Sequence, residues 1–190
     1  MVLLPKLAAF AEAYPDIVLD VVTSNEPVDL ITQGYDAGVH IGEYIQRDMI
    51  AVRVSHDLRL VVVGSPEYLR LRRPPRTPRD LKEHRCIGFR LRGGPYRWEF
   101  QKGRKALTVS AQGPVMFDDS NLVVQAALNG VGLGMALEET VAALIAEDRL
   151  IPVLGDWCPT FPGFYLYYPS RRNQPAALAA LIQTLRLSAG

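Results

Sequence analysis

Segments with apolar residues at helical spacing alternate with short apolar runs along the whole chain, and this order is what most constrains the fold. Alternating helices and strands point to an α/β architecture in which helices cover a sheet. "LLPKLAAFAEAYPDI" predicts a helix with Pro5 in its first turn, ending before Pro15. "IVLDVVTSN" predicts a strand, and "EPVDLITQGYDAGVHIG" a short helix closed by Gly34 followed by a strand through Ala37, Val39 and Ile41. In "IAVRVSHDLRLVVVGS" the run Val61–Val63 lacks polar alternation, as expected of a strand buried on both faces. Ser65 and Thr77 read as helix N-caps, the second with Pro78 at the first helical position. "RCIGFRL", "RWEFQ" and "KALTVSAQGPVMF" predict strands, and "EETVAALIAEDRLIPVL" a helix and a strand. "GFYLYYPS" and "QPAALAALIQTLRLS" then supply the last strand and the last helix.

Glycines at 130, 132 and 134 in "ALNGVGLGMAL" invite comparison with a dinucleotide-binding loop. Such a loop needs a strand before the glycines and a helix after them, so that free N–H groups at the helix N-terminus face the phosphate. The order here is reversed. "DDSNLVVQAALNG" reads as a helix with Asp119 or Ser120 as N-cap, and "VGLGMAL" as a buried strand, so the negative end of the helix dipole faces the glycines. A tight helix-to-strand turn is expected, with Gly130 left-handed and Gly132 and Gly134 allowing close backbone approach.

A net charge of +1 over 190 residues gives no general attraction to nucleic acid or membrane, so any ligand must be chosen by a local site. The basic stretch "RLRRPPRTPRDLKEHR" is broken by prolines and diluted by Asp80 and Glu83, and reads as a solvated face rather than a nucleic-acid patch. "MVLLPKLAAF" lacks secretory-signal features and no apolar run reaches membrane-spanning length, which makes a cytoplasmic location the expectation. Cys86 and Cys158 stand far apart outside any paired motif and are expected as free thiols. His40, His56 and His84 have no ligand-like neighbours, so neither a metal nor a cofactor is expected. No nucleophile elbow surrounds Ser24, Ser65, Ser120 or Ser170, and Asp118 and Asp119 read as carboxylates at a helix start rather than an acid/base pair. The chain is not expected to be an enzyme.

The wording of several stretches is specific. "LLPKLAAFAEAYPDIVLDVVTS", "VDLITQGYDAGVHIG", "LRLVVVGSPEYL", "TPRDLKEHRCIGF", "AALNGVGLGMAL", "RLIPVLGDW" and "YYPSRRNQPAALAALIQTL" cover nearly the whole chain. In that order they resemble the effector-binding domain of LysR-type transcriptional regulators. The resemblance implies two Rossmann-like α/β lobes joined by two crossover strands, like type 2 periplasmic binding proteins. On that plan residues 1–63 and 165–190 form lobe one and residues 64–164 lobe two. It also implies a sensor function: a small molecule held between the lobes shifts their closure and thereby transcription. A solute-binding protein or a small-molecule enzyme on the same fold is the alternative. The family's DNA-binding domain and the first strand of its effector domain have no counterpart in these residues, so DNA is reached only through that other domain, and no sequence-specific affinity for duplex DNA is expected here.

By position, the resemblance carries an effector-contact set onto this chain. Thr23, Ser24 and Asn25 stand at a cleft edge with Ile41 and Gly42 facing them. Phe89 and Arg90 follow "RCIG", and Asp118, Asp119 and Ser120 open a helix, while Leu133 and Phe164 are expected as apolar walls. Arg90 is the candidate for a carboxylate, because a guanidinium binds one in bidentate fashion. The apolar circumference of the first helix and of the helix from Leu122 to Leu128 exceeds one core-facing stripe, which points to a homodimer or higher oligomer. The resemblance implies an antiparallel pairing of Leu4, Ala8 and Ala11 with Leu122 and Ala126 of a second copy.

Overall fold

The structure, a computed structural model, describes residues 4–24, 28–42, 49–170 and 174–187. Its contacts divide the chain into two units, Met1–Leu58 with Phe161–Gly190, and Arg59–Thr160. The first unit contains α1 (Leu4–Ala13), α2 (Leu30–Gln33), β1 (Gly38–Ile41) and β2 (Met49–Arg53). β3 (Leu58–Gly64) leads into the second unit, which continues with α3 (Pro66–Arg70), a 3-10 helix at Pro78–Glu83, and β4 (Gly88–Leu91). Next come β5 (Gly94–Pro95), the hairpin β6 (Arg97–Lys102) and β7 (Lys105–Ser110), and β8 (Met116–Phe117). α4 (Ser120–Leu128), β9 (Gly134–Leu137), α5 (Glu138–Ala146) and β10 (Ile151–Val153) complete that unit. The chain returns through β11 (Thr160–Phe161) to β12 (Phe164–Pro169) and α6 (Ala176–Leu185).

In the first unit β12 is the central strand, antiparallel to β1 and to β2, with Leu166 opposite Val39 on one side and Val52 on the other. Val54, Leu166 and Leu185 form its core, with Val39, Phe164, Leu181 and Ile182 packed around them. α1 buries Phe10 alone among its residues, and Lys6 Nζ donates to the Leu185 carbonyl at 3.0 Å, tying α1 to the end of α6. Asp29 caps α2 by accepting from the Ile31 and Thr32 N–H groups, and Gly34 ends it at φ 75°.

Of the strand expected over "IVLDVVTSN", residues 17–24 form none, and Asn25 lies outside the described residues. Val18, Val21 and Val22 are 91, 50 and 62% exposed. β-branched residues favour a strand through cross-strand packing rather than by themselves, and no described strand lies beside these.

In the second unit β3 is antiparallel to both β9 and β10, pairing Val61 with Ala136 and Val63 with Pro152. Side chains alternate along a strand, so Val62 enters one cluster, with Tyr68, Trp98, Phe100 and Leu133, while Val61 and Val63 enter another, with Ile87, Val123 and Ala127. All three valines are buried, as the unbroken apolar run implies. The residues expected as caps are placed as such: Ser65 Oγ accepts from Tyr68 N at 3.2 Å and Asp119 Oδ1 from Asn121 N at 2.7 Å. The segment after Thr77 is a 3-10 rather than an α-helix, held by the Asp80 carboxylate, which accepts from the N–H groups of Arg76 and Thr77, each at 2.9 Å. The single strand expected over "KALTVSAQGPVMF" is two, β7 and β8, interrupted where Cys86 N donates to the Gln112 carbonyl at 2.8 Å.

The glycine turn follows the expected order of helix, glycines and strand. Gly130 lies at φ 71° after α4, and a Cβ on Gly132 would stand 2.3 Å from the Arg85 carbonyl oxygen. That close approach lets Leu133 N donate to the Arg85 carbonyl and Ile87 N to the Leu133 carbonyl, each at 2.8 Å.

Candidate functional site

In the first unit the end of β1 meets the start of β12, with Ile41 opposite Phe164 in register. The Phe164 backbone is held on both sides: its N–H donates to Ser55 Oγ at 2.7 Å, and its carbonyl accepts from the N–H groups of Val54 and Ser55 at 3.0 and 3.3 Å. Gly42 N donates to the Gly163 carbonyl at 3.4 Å, and a Cβ on Gly42 would stand 2.7 Å from the Tyr165 ring. The fold thus brings Ile41, Gly42 and Phe164 together. Thr23 and Ser24 are exposed at the end of that segment, and Asn25 lies outside the described residues.

The second unit assembles its own group. β4 and β8 run parallel, pairing Gly88 with Met116 and Phe89 with Phe117. Their C-terminal ends therefore lead together, one into exposed Arg90 and the other into Asp118, Asp119 and Ser120 at the start of α4. Arg90 itself pairs with Pro95 across to β5. Leu133 is placed otherwise than as a wall: it is fully buried, bridged to Cys86 and packed in the core beside Gly64.

The residues carried over for pairing of two copies divide in the same way. Leu4, Ala8 and Ala11 lie exposed on α1, and Leu122 is 46% exposed on α4. Ala126 is 9% exposed and belongs to the unit's core beside Val123 and Ala127, so a charge there would disturb packing within the unit rather than probe an outer face. The i, i+4 spacing of Leu122 and Ala126 puts both on one side of α4, yet only Ala126 is packed inward while Leu122 stays half-exposed.

Several polar contacts that support these positions have no local signal in the sequence. Ser55 reaches Phe164 across more than 100 positions, and the Arg59 guanidinium forms a two-point ion pair with Glu138, joining the start of β3 to the start of α5. Other candidate groups are engaged or subdued: Ser65 is spent on its cap, and burial pushes the Cys86 thiol up to about 11 and raises that of Cys158. Among the described residues no three His, Cys, Asp or Glu side chains are grouped to hold a metal ion, and no helix is long and apolar enough to cross a membrane.

Residues 1–189 match the LysR substrate binding domain. The chain belongs to that family. It is 41% identical over 186 residues to a putative transcriptional regulator of Pseudomonas aeruginosa, covering 97% of this chain and 61% of that protein. It is 32% identical to the HTH-type transcriptional regulator PgrR of Escherichia coli, covering 97% and 62%. The chain therefore spans about three-fifths of the length of these relatives. Among solved structures, the regulatory domain of CrgA, a LysR-type regulator from Neisseria meningitidis, is 28% identical with a TM-score of 0.82, covering 96% of this chain and 89% of that one. Full-length AphB, a Vibrio cholerae virulence activator, is 23% identical with a TM-score of 0.82 over 95% and 61%, and so bears on the fold alone. Family and fold agree with the two-lobed α/β class of periplasmic-binding-protein type.

The buried His84 carries a consequence for pH. Its Nδ1 lies 3.3 Å from Tyr68 Oη, which in turn accepts from Arg85 N at 2.9 Å. Burial, then the Arg72 charge, hold the imidazole below its usual range, against the opposing effects of the Arg73 backbone, Glu83 and Asp80. The folded chain thus keeps His84 neutral where the unfolded chain takes up a proton, so this stabilisation is complete above about pH 6.5 and is lost as pH falls below it. Urea midpoints should drop between about pH 7.5 and pH 5.5, and less steeply in His84→Gln. Equal slopes for the two proteins would remove His84 as the source.

Proposed function

We propose that this chain is a sensing module whose two units bind one small effector and transmit its presence by a change in their closure. A ligand shifts such an equilibrium only by its differential affinity for the two states. The observation that carries the reading is the family match over residues 1–189, supported by two residue groups, Ile41–Gly42–Phe164 in one unit and Phe89–Arg90 with Asp118–Ser120 in the other. Thr23, Ser24 and Asn25 are proposed to complete the first group. The lobes are proposed as residues 1–63 with 165–190, and 64–164. No catalysis is proposed, because the relatives are named transcriptional regulators, and the proposed location is the cytoplasm. Contact with specific DNA sites is assigned to a helix-turn-helix portion of the parent protein.

Arg90 is proposed to orient an acidic effector. It is exposed at the end of β4 and has no carboxylate partner among the described residues. A thermal-shift screen of small carboxylates, amines and neutral aromatics should find carboxylates among the stabilising compounds. A ligand at 100 times its dissociation constant adds about 2.7 kcal/mol. Arg90→Ala should weaken a carboxylate hit by about tenfold or more, in line with the roughly 1.5–3 kcal/mol typical of a hydrogen bond to a charged group. Unchanged affinity would remove Arg90 from the site.

We also propose an antiparallel dimer in which Leu4, Ala8 and Ala11 on α1 of one copy meet Leu122 on α4 of the other. Sedimentation at micromolar concentration should show a dimer that Ala8→Glu and Leu122→Glu each dissociate. A monomeric parent, or a dimer indifferent to both charges, would contradict this.

A further inference from the structure

The net charge of +1 conceals a strong asymmetry. Residues 70–105 carry thirteen Lys and Arg against three Asp and Glu, while the remainder of the chain carries eight against seventeen. The basic stretch evident in the sequence ends at Arg85, but the folded unit extends it. Leu81 from the 3-10 helix and Trp98 and Phe100 from β6 share one core with Tyr68, and β7 lies beside the 3-10 helix. The arginine-rich segment and the β6–β7 hairpin are therefore neighbours within one unit.

Little in the structure neutralises this basic region. Arg70, Arg73, Arg76 and Arg79 are exposed in the first half and Arg97, Arg104 and Lys105 in the second, and none has an ion-pair partner among the described residues. Of the three carboxylates, Asp80 is committed to the Arg76 and Thr77 N–H groups and Glu83 lies 4.0 Å from Lys82. The cations that are engaged are held mostly by other means. The Arg72 and Arg85 guanidinium carbons lie 4.7 and 5.4 Å from the Tyr68 ring centroid, which gathers two like charges at one phenol, and Lys102 pairs with Asp156.

Against the expectation of a merely solvated face, we infer that residues 70–105 form a docking surface for the phosphodiester backbone of duplex DNA, in a contact that does not read sequence and so leaves recognition of specific sites to another domain. The cations are distributed over successive elements rather than converging on one point, which suits an extended polyanion better than a small ion. Ten of the thirteen are arginines, whose fork of donors takes phosphate oxygens in bidentate fashion. Duplex DNA is preferred to an acidic protein because the relatives are HTH-type regulators; that choice of partner, though not the surface itself, rests on the regulator reading.

The test is fluorescence anisotropy of the chain with a short mixed-sequence DNA duplex over a salt series, with polyglutamate of matched charge as competitor. Binding should fall in the non-specific range, with Kd about 10⁻⁴–10⁻⁶ M at physiological salt, and should not distinguish between unrelated sequences. Two non-overlapping variants, Arg73→Gln with Arg76→Gln and Arg97→Gln with Arg104→Gln, should each lower the slope of log affinity against log salt by about 1.8 if both cations meet phosphate. Arg149→Gln with Arg186→Gln, which removes the same charge elsewhere, should leave that slope unchanged. Binding absent at low salt, equal losses in the control, or stronger capture by polyglutamate than by DNA would each overturn the proposal. A thermal shift by an effector that survives in both variants would show that the sensing reading stands independently.

Discussion

Burial of β3 on both faces is the constraint around which the second unit is organised. Val61 and Val63 point into one cluster and Val62 into the other, so a single strand supplies both cores, and its backbone N–H and C=O groups, cut off from water, need strands at its edges. β9 and β10 meet that demand, and each fixes the elements next to it in the chain. β9 places the glycine turn and α4 at its start, and β10 closes the helix–strand crossover through α5. The Arg59–Glu138 ion pair then joins the first turn of α5 to the beginning of β3. The positions of Asp119 and Ser120 derive from this framework, because α4 packs its Val123, Val124 and Ala127 side against the same sheet.

Features decided within a few residues were legible in the sequence. Ser65 and Asp119 as caps, Gly34 and Gly130 in left-handed turns, and the helix-then-strand order that rules out a phosphate loop are all set by local chemistry. Features decided by distant partners were not. "IVLDVVTSN" has strong β-propensity, yet pairing requires a neighbour that local composition cannot reveal. Leu133 and Ala126 have the residue types expected on either a wall or an interface, and only the packing of β9 and α4 directs both inward. The site positions were reached through resemblance to a family rather than through spacing. The register that sets Ile41 opposite Phe164 depends on a pairing across more than 120 residues.

Charge is hidden in the sequence for a related reason. Net charge averages over the whole molecule, whereas a binding surface depends on which residues share a core. The hairpin β6–β7 and the arginine-rich segment share a core through Trp98, Phe100 and Leu81, which sets two moderate basic clusters side by side in one unit. The acidic balance of the other residues hides the result in the total.

The central claim is that an effector alters the disposition of the two units. It is tested most directly by pulsed electron paramagnetic resonance between a spin label in each. Cysteines introduced at exposed Glu12 and Thr108 would carry the labels, with the buried Cys86 and Cys158 replaced by alanine. Addition of a stabilising compound from the ligand screen should shift the distance distribution towards a separate or narrower population. A distribution unchanged at saturating ligand would contradict closure as the means of sensing.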